Sequence, residues 1–375
     1  MRRAPHPEAL LAVLSLVLTL GALEGVARLR LGATAREALP HVGLDDQDEN
    51  RLRWLARRQA GDTNDGMGFD RPDALLGWAP TPDLARRNRR PGSYDVVVHT
   101  TVDGLRGRDP VARARLPGRA RVAVFGCSQT FGAEVEDDET YSAQLGHRLH
   151  DVDVLNFGVH GYGTDQMLLR YRRDGAPYRP DVVVVGFAYY HLLRNQDAFR
   201  FFAKPRFVLD DGTLRLVGVP VPTPGAYAAM ATMPSTHALL DHSVLLRWAW
   251  SRLETARQSR LYSSDSPAWA LGRAILRRFV REVTADGGRV VILNVEDVSE
   301  QLEPVLADMA REDGATFVNA GATLGDLRHA GRRLRVPDDP HWGPEGHARI
   351  ADDLATTLCA EHLVPTDACG DGDPP

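Results

Sequence analysis

A serine stands where an apolar run breaks at glycine, in Val122-Ala-Val-Phe-Gly-Cys-Ser128-Gln-Thr-Phe-Gly132. Far downstream a histidine follows a carboxylate, in Asp338-Asp-Pro-His341-Trp-Gly-Pro-Glu-Gly-His347. A hydroxyl is a weak nucleophile at neutral pH, and it is activated by an imidazole within hydrogen-bond reach and a carboxylate that holds the imidazole's tautomer. The two segments contain all three groups, and the chemistry they suggest is attack of an activated serine on a carbonyl. Asp338, three residues before His341, has the reach to turn back on the ring. Asp339 competes for that role but is closer in sequence and is expected to fold back less readily. Taken singly, each group has a plainer reading: Ser128 as a helix N-cap, and His341, like His347, as a packed and hydrogen-bonded histidine. Cys127, beside the serine, reads as a small buried filler behind the turn, because adjacent residues of a tight turn point in different directions.

These groups need a scaffold that brings distant loops to one edge. Continuous apolar runs at Arg121 to Phe125, Val152 to Phe157, Val182 to Phe187, Val290 to Val295 and Thr316 to Val318 alternate with helical stretches. Strands of this kind suit a sheet buried on both faces, hence a parallel α/β sandwich, with sites at the carboxyl ends of the strands. Ser128, Gly158 to Gly163 and the Tyr190 region each follow such a strand. Residues 69–118 read as a small β-containing extension, with a strand in Asp95-Val-Val-Val-His-Thr-Thr-Val102. Between about 196 and 265 the α/β rhythm lapses. There Phe207 to Val217 alternates on both sides of Asp211-Gly212 as a hairpin, and an amphipathic stretch follows around Leu239 to Leu261. This insertion is expected to act as a lid or as a packing elaboration.

The segment Gly126-Cys-Ser-Gln-Thr resembles the first block of the SGNH (GDSL-type) hydrolase superfamily. Asn156-Phe-Gly-Val-His-Gly161-Tyr-Gly resembles its second block, and Asp338-Asp-Pro-His341 its last, in the family's order across residues 119–362. The resemblance implies a flavodoxin-like three-layer sandwich with a mainly parallel five-stranded sheet. It implies Ser128 as nucleophile, His341 as base and then acid, and Asp338 as the group that orients His341. It also implies an oxyanion hole from the N–H groups of Ser128 and Gly161. The third block departs from the pattern: Gly186-Phe-Ala-Tyr-Tyr190-His191-Leu-Leu-Arg194-Asn195 lacks the family's Gly-x-Asn-Asp. His191 is the expected substitute donor, with Tyr190, Asn195 and Arg194 as alternatives. The implied activity is hydrolysis of an ester through an acyl-enzyme, the substrate being an ester-bearing small molecule or an O-acyl group on a cell-surface glycan. The rival readings are an O-acyltransferase using the same triad and a non-catalytic glycan-binding protein on a degenerate scaffold.

Composition sets the remaining bounds. The 375 residues are 43% hydrophobic, enough for a substantial core. A net charge of -5 gives no general attraction to nucleic acid, which is not an expected partner. The apolar run from Ala9 to Leu23, flanked by arginines, makes residues 1–30 an expected membrane anchor or signal segment, with the body periplasmic or extracellular. Residues 31–68 read as a linker and 363–375 as a tail. Cys359 and Cys369 lie close enough to bridge in an oxidising compartment. No cofactor and no metal are implied: the glycines at 158, 161 and 163 do not follow the dinucleotide fingerprint, and no ligand set has zinc spacing.

Overall fold

A computed structural model describes residues 7–38, 46–61, 68–230, 263–296 and 303–369, with scattered residues between 243 and 260. Five strands form a parallel sheet: β5 (Ala120–Phe125), β6 (Val152–Asn156), β7 (Val182–Phe187), β10 (Arg289–Asn294) and β11 (Thr316–Asn319). Their spatial order is β6-β5-β7-β10-β11. Counted from β5 this is 2-1-3-4-5, the flavodoxin-like order, whose switch point lies beside the first strand.

The sheet is buried on both faces, as the apolar runs predict, and successive residues serve opposite layers. Val183, Val185, Phe125 and Ile292 face α5 (Thr164–Arg170), α8 (Pro267–Ala285) and α9 (Glu303–Glu312). Val182, Val184, Val122 and Val124 face α4 (Tyr141–Arg148), α10 (Ala320–His329) and α11 (Pro344–Ala360). Each aliphatic side chain buried this fully contributes about 1.5–3 kcal/mol. α8 shows why these residues form a helix here. The Ser266 hydroxyl accepts from Trp269 N at 3.1 Å and Pro267 takes the first turn, while Leu271, Ile275, Phe279 and Val283 put an apolar stripe on the sheet. The chain leaves the helix at Gly287, whose φ of 89° is left-handed. Ser266→Ala would remove the cap at a cost of about 1 kcal/mol.

The extension consists of two antiparallel pairs, β1 (Asp70–Asp73) with β2 (Gly77–Pro80) and β3 (Ala85–Arg90) with β4 (Tyr94–His99). It is tied to the loop after β6, because Trp78 Nε1 donates to the His160 carbonyl at 2.8 Å and Tyr162 Oη donates to the Trp78 carbonyl at 2.5 Å. The hairpin expected around Asp211-Gly212 forms as β8 (Arg206–Asp210) and β9 (Thr213–Val217). Lys204, the chain's single lysine, is buried in the insertion and donates to Asp165 Oδ2 at 2.5 Å, fastening the insertion to α5. Most of the amphipathic stretch around Leu239 to Leu261 lies outside the described residues.

Part of the stretch read as a linker is packed. Residues Asp46–Gln59 form α2, and Trp54 is buried against Phe199, Phe202 and Tyr227. Cys359 and Cys369 form a disulfide with a Cα–Cα distance of 5.9 Å. At the amino terminus Pro7–Ala38 form α1, which exposes Leu11, Leu14, Leu18 and Leu29. Among the described residues no helix is long and apolar enough to cross a membrane.

Candidate functional site

Ser128 begins the short helix α3 (Ser128–Phe131) directly beyond β5, and its side chain is half-buried at the carboxyl edge of the sheet. The turn depends on Gly126: a Cβ there would lie 1.8 Å from Thr130 Oγ1. Cys127 occupies the N-cap position and is buried, with Sγ 3.2 Å from Tyr190 Oη, so it packs behind the turn as expected. As the first residue of the helix, Ser128 has an N–H without an intrahelical acceptor.

His341 arrives from the loop before α11. Its Nε2 lies 2.9 Å from Ser128 Oγ, and its Nδ1 lies 2.6 Å from Asp339 Oδ1. With Nδ1–H donated to the carboxylate, Nε2 keeps its lone pair toward the serine, the tautomer that a base requires. The sequence reading preferred Asp338 as the orienting carboxylate, and the structure corrects it to Asp339. Asp338 is exposed and takes a left-handed φ of 54°, which turns its carbonyl toward Arg90 Nη1 at 2.8 Å. Asp339 accepts the His341 backbone N–H at 3.0 Å on the same Oδ1 that meets the ring. Such an Asx turn carries a carboxylate over the residue two positions ahead, so the shorter spacing is no obstacle.

Three residues hold this loop that the sequence reading does not single out. Gln129, next to the serine, donates to the Pro340 carbonyl at 3.3 Å and accepts from Trp342 N at 3.2 Å, pinning the histidine's neighbours to α3. Arg90, in β3, donates to Asp339 Oδ2 at 2.6 Å, and Ser93 Oγ donates to the Pro337 carbonyl. None has a local signal, because each acts across more than 200 residues of chain, with separations of 213, 244 and 249.

The loop after β6 contributes Gly161, buried with a φ of 71°. That conformation disfavours any side chain, and a Cβ would also lie 2.5 Å from the Phe201 ring. Phe201 belongs to the insertion, which therefore touches the loop and is more than a remote elaboration.

The side chains expected to replace the third-block asparagine turn away from the cleft. His191 is fully buried and its Nδ1 accepts the Ala188 N–H at 3.1 Å. Burial, with Arg194 and Arg200 nearby, holds it well below the usual imidazole pKa, hence neutral. Tyr190 directs its hydroxyl to Cys127, and its phenol is pushed up by burial. Asn195 is buried and bonds Thr164 Oγ1 at 2.8 Å through Nδ2, while its Oδ1 accepts from Asp165 N at 3.2 Å. Arg194 donates to the Tyr162 carbonyl at 3.1 Å. Of the donors expected in the cleft, Tyr190 Oη is thus engaged by Cys127 and the Asn195 amide by Thr164 and Asp165, while the His191 ring is fully buried.

Among the described residues one group brings three ligand-type atoms within 4.8 Å of one another: Glu134, Asp339 and His341. It reflects two carboxylates gathered at one imidazole, since Glu134 Oε1 lies 3.4 Å from His341 Nδ1.

No protein-family model and no curated protein matches the chain. Among solved structures, an acetylxylan esterase from Geobacillus stearothermophilus is similar at 15% identity and a TM-score of 0.38, the match covering 64% of this chain and 94% of that one. A two-domain esterase active on acetylated mannans is similar at 16% identity and a TM-score of 0.38, covering 68% of this chain and 52% of that one. Likenesses of this degree do not bear on the reaction, for which the geometry at Ser128 and His341 must speak.

Proposed function

We propose that this protein is a serine esterase of SGNH type that forms an acyl-enzyme. The reading is carried by one observation, the unbroken chain of hydrogen-bond distances from Ser128 Oγ through His341 to Asp339. In the proposed cycle Ser128 Oγ attacks the ester carbonyl while its proton passes to His341 Nε2, and Asp339 holds the imidazolium through Nδ1–H. The oxyanion lies against the N–H groups of Ser128 and Gly161. His341 then gives its proton to the departing alcohol oxygen as the carbon–oxygen bond breaks. In the second half water attacks the acyl-serine, passing a proton to His341, which returns it to Ser128 Oγ as the acid leaves. With no side chain in the third-block position facing the cleft, the two backbone donors bear the oxyanion, where one donor is worth about 10²–10³ in rate.

The proposed substrate is an O-acyl group on a cell-surface glycan, with the apolar run from Ala9 to Leu23 holding the protein at the membrane and the body outside it. A fluorophosphonate probe is the decisive test. Labelling that disappears in Ser128→Ala supports an activated serine, and a folded wild-type protein that fails to label leaves a binding protein as the better reading. An acetyl ester assay with and without an oligosaccharide acceptor separates hydrolysis from acyl transfer.

A further inference from the structure

Glu134 lies on the segment that leaves α3, and its side chain is 9% exposed. Oε1 stands 3.4 Å from His341 Nδ1, and Oε2 is buried without a hydrogen-bond partner among the described residues. A buried carboxylate without a donor is costly. Among the described residues, the only basic group within ion-pair distance of it is the imidazole of His341. Asp339, by contrast, divides its charge between the ring and Arg90. The pair is enclosed by Arg90 and Tyr94 from the β3–β4 hairpin, by Asp339 on the loop, by Arg106 and Glu136, and by His347 of α11. Arg106 is itself hydrogen-bonded to Asp137 and to the carbonyls of Gly132 and Val135, so it does not reach Glu134 as a donor.

We propose that Glu134 is a positioning residue for His341: a second carboxylate at Nδ1 that stabilises the imidazolium and offers its N–H an alternative acceptor to Asp339. This rests on the esterase reading. Before the serine proton arrives, two carboxylates face a neutral ring and repel one another. Once the proton is on Nε2, both face a cation, and repulsion between them gives way to attraction toward the ring. Proton transfer from Ser128 is thereby assisted without Glu134 touching the substrate.

Glu134→Gln keeps the shape and removes the charge. The expected results are a fall of about one unit in the His341 pKa, read by NMR of isotopically labelled histidine, and an equal downward shift of the acid limb of kcat/KM. A loss in kcat of about tenfold is expected alongside them. Glu134→Asp restores the limb. In the Asp339→Asn background, a further Glu134→Gln change removes the residual turnover that the second acceptor supports. An unmoved His341 pKa in Glu134→Gln overturns the role given to Glu134. Absent fluorophosphonate labelling of the wild type overturns the esterase reading, so the two fail separately.

Discussion

The loop after β7 and the loop before α11 each deliver a histidine to the carboxyl edge of the sheet, and they differ in what they offer Nδ1. His191 receives a backbone N–H from Ala188 there, which forces its own proton onto Nε2 in a fully buried setting. His341 meets a carboxylate there, which puts the proton on Nδ1 and leaves Nε2 free to accept from Ser128. Ring chemistry is identical in the two cases. The partner of one nitrogen decides whether the other is a base or an idle donor. His160 adds a third case: its Nδ1 lies 3.2 Å from Asp70 Oδ2 as in a working pair. Its Nε2 is nonetheless buried without a partner among the described residues, between the rings of Phe69 and Phe131. A histidine–carboxylate pair alone, without a hydroxyl, does no nucleophilic chemistry.

The sharpest way to break this contrast is at the carboxylates. Asp339→Asn is expected to lower turnover by up to about 10⁴, the size of effect seen when a triad aspartate loses its charge, less whatever Glu134 supplies as second acceptor. Asp338→Asn, which tolerates the left-handed backbone, should stay within about threefold. The reverse outcome, measured with an activated acetyl ester, would return the orienting role to Asp338.

A smaller effect should appear in acid stability, because the idle histidines are held neutral. His347 accepts the Tyr141 N–H at 3.1 Å, and burial lowers its pKa from 6.5 to about 3. The unfolded chain takes up protons below about pH 6.5 while the folded one does not, so stability is fully present above that pH. It is lost as pH falls toward 3, by about 1 kcal/mol per unit for such a histidine. Thermal unfolding between pH 7 and pH 4 reads this slope, and His347→Gln should flatten it; an identical slope in the variant removes His347 as the cause.

The smallest change in rate belongs to His191→Phe. Turnover is expected to stay within about threefold, while the melting temperature drops because the Ala188 N–H loses its acceptor, at a cost of about 1–3 kcal/mol. A hundredfold loss of kcat with an unchanged melting temperature would place His191 in the oxyanion site after all.

The strands could be read from the sequence because each is a short unbroken apolar run, and β7 with its four consecutive valines is the clearest. The meeting of Ser128 and His341 could be read because a serine after a strand and a histidine after a carboxylate stand in recognisable local settings. Asp339 ranks behind Asp338 on spacing alone, because spacing does not show the Asx turn that its own side chain makes. Trp54 reads as part of a linker because α2 is polar along most of its length, and the aromatic residues that bury Trp54 lie at Phe199, Phe202 and Tyr227. Glu134, Arg90 and Gln129 carry no local mark at all, since what they do depends on a loop that returns from the far end of the chain.

The hold of Arg90 and Ser93 on residues 337–339 bears on how small a working version of this protein can be. A chain trimmed to begin at Arg119 would retain every strand of the central sheet together with serine, histidine and aspartate. It would lack the strap across the acid's backbone, and Gln129 would be left to hold the loop without it. Anyone grafting this machinery onto another scaffold must therefore carry the arginine-rich ribbon along with the letters that look essential.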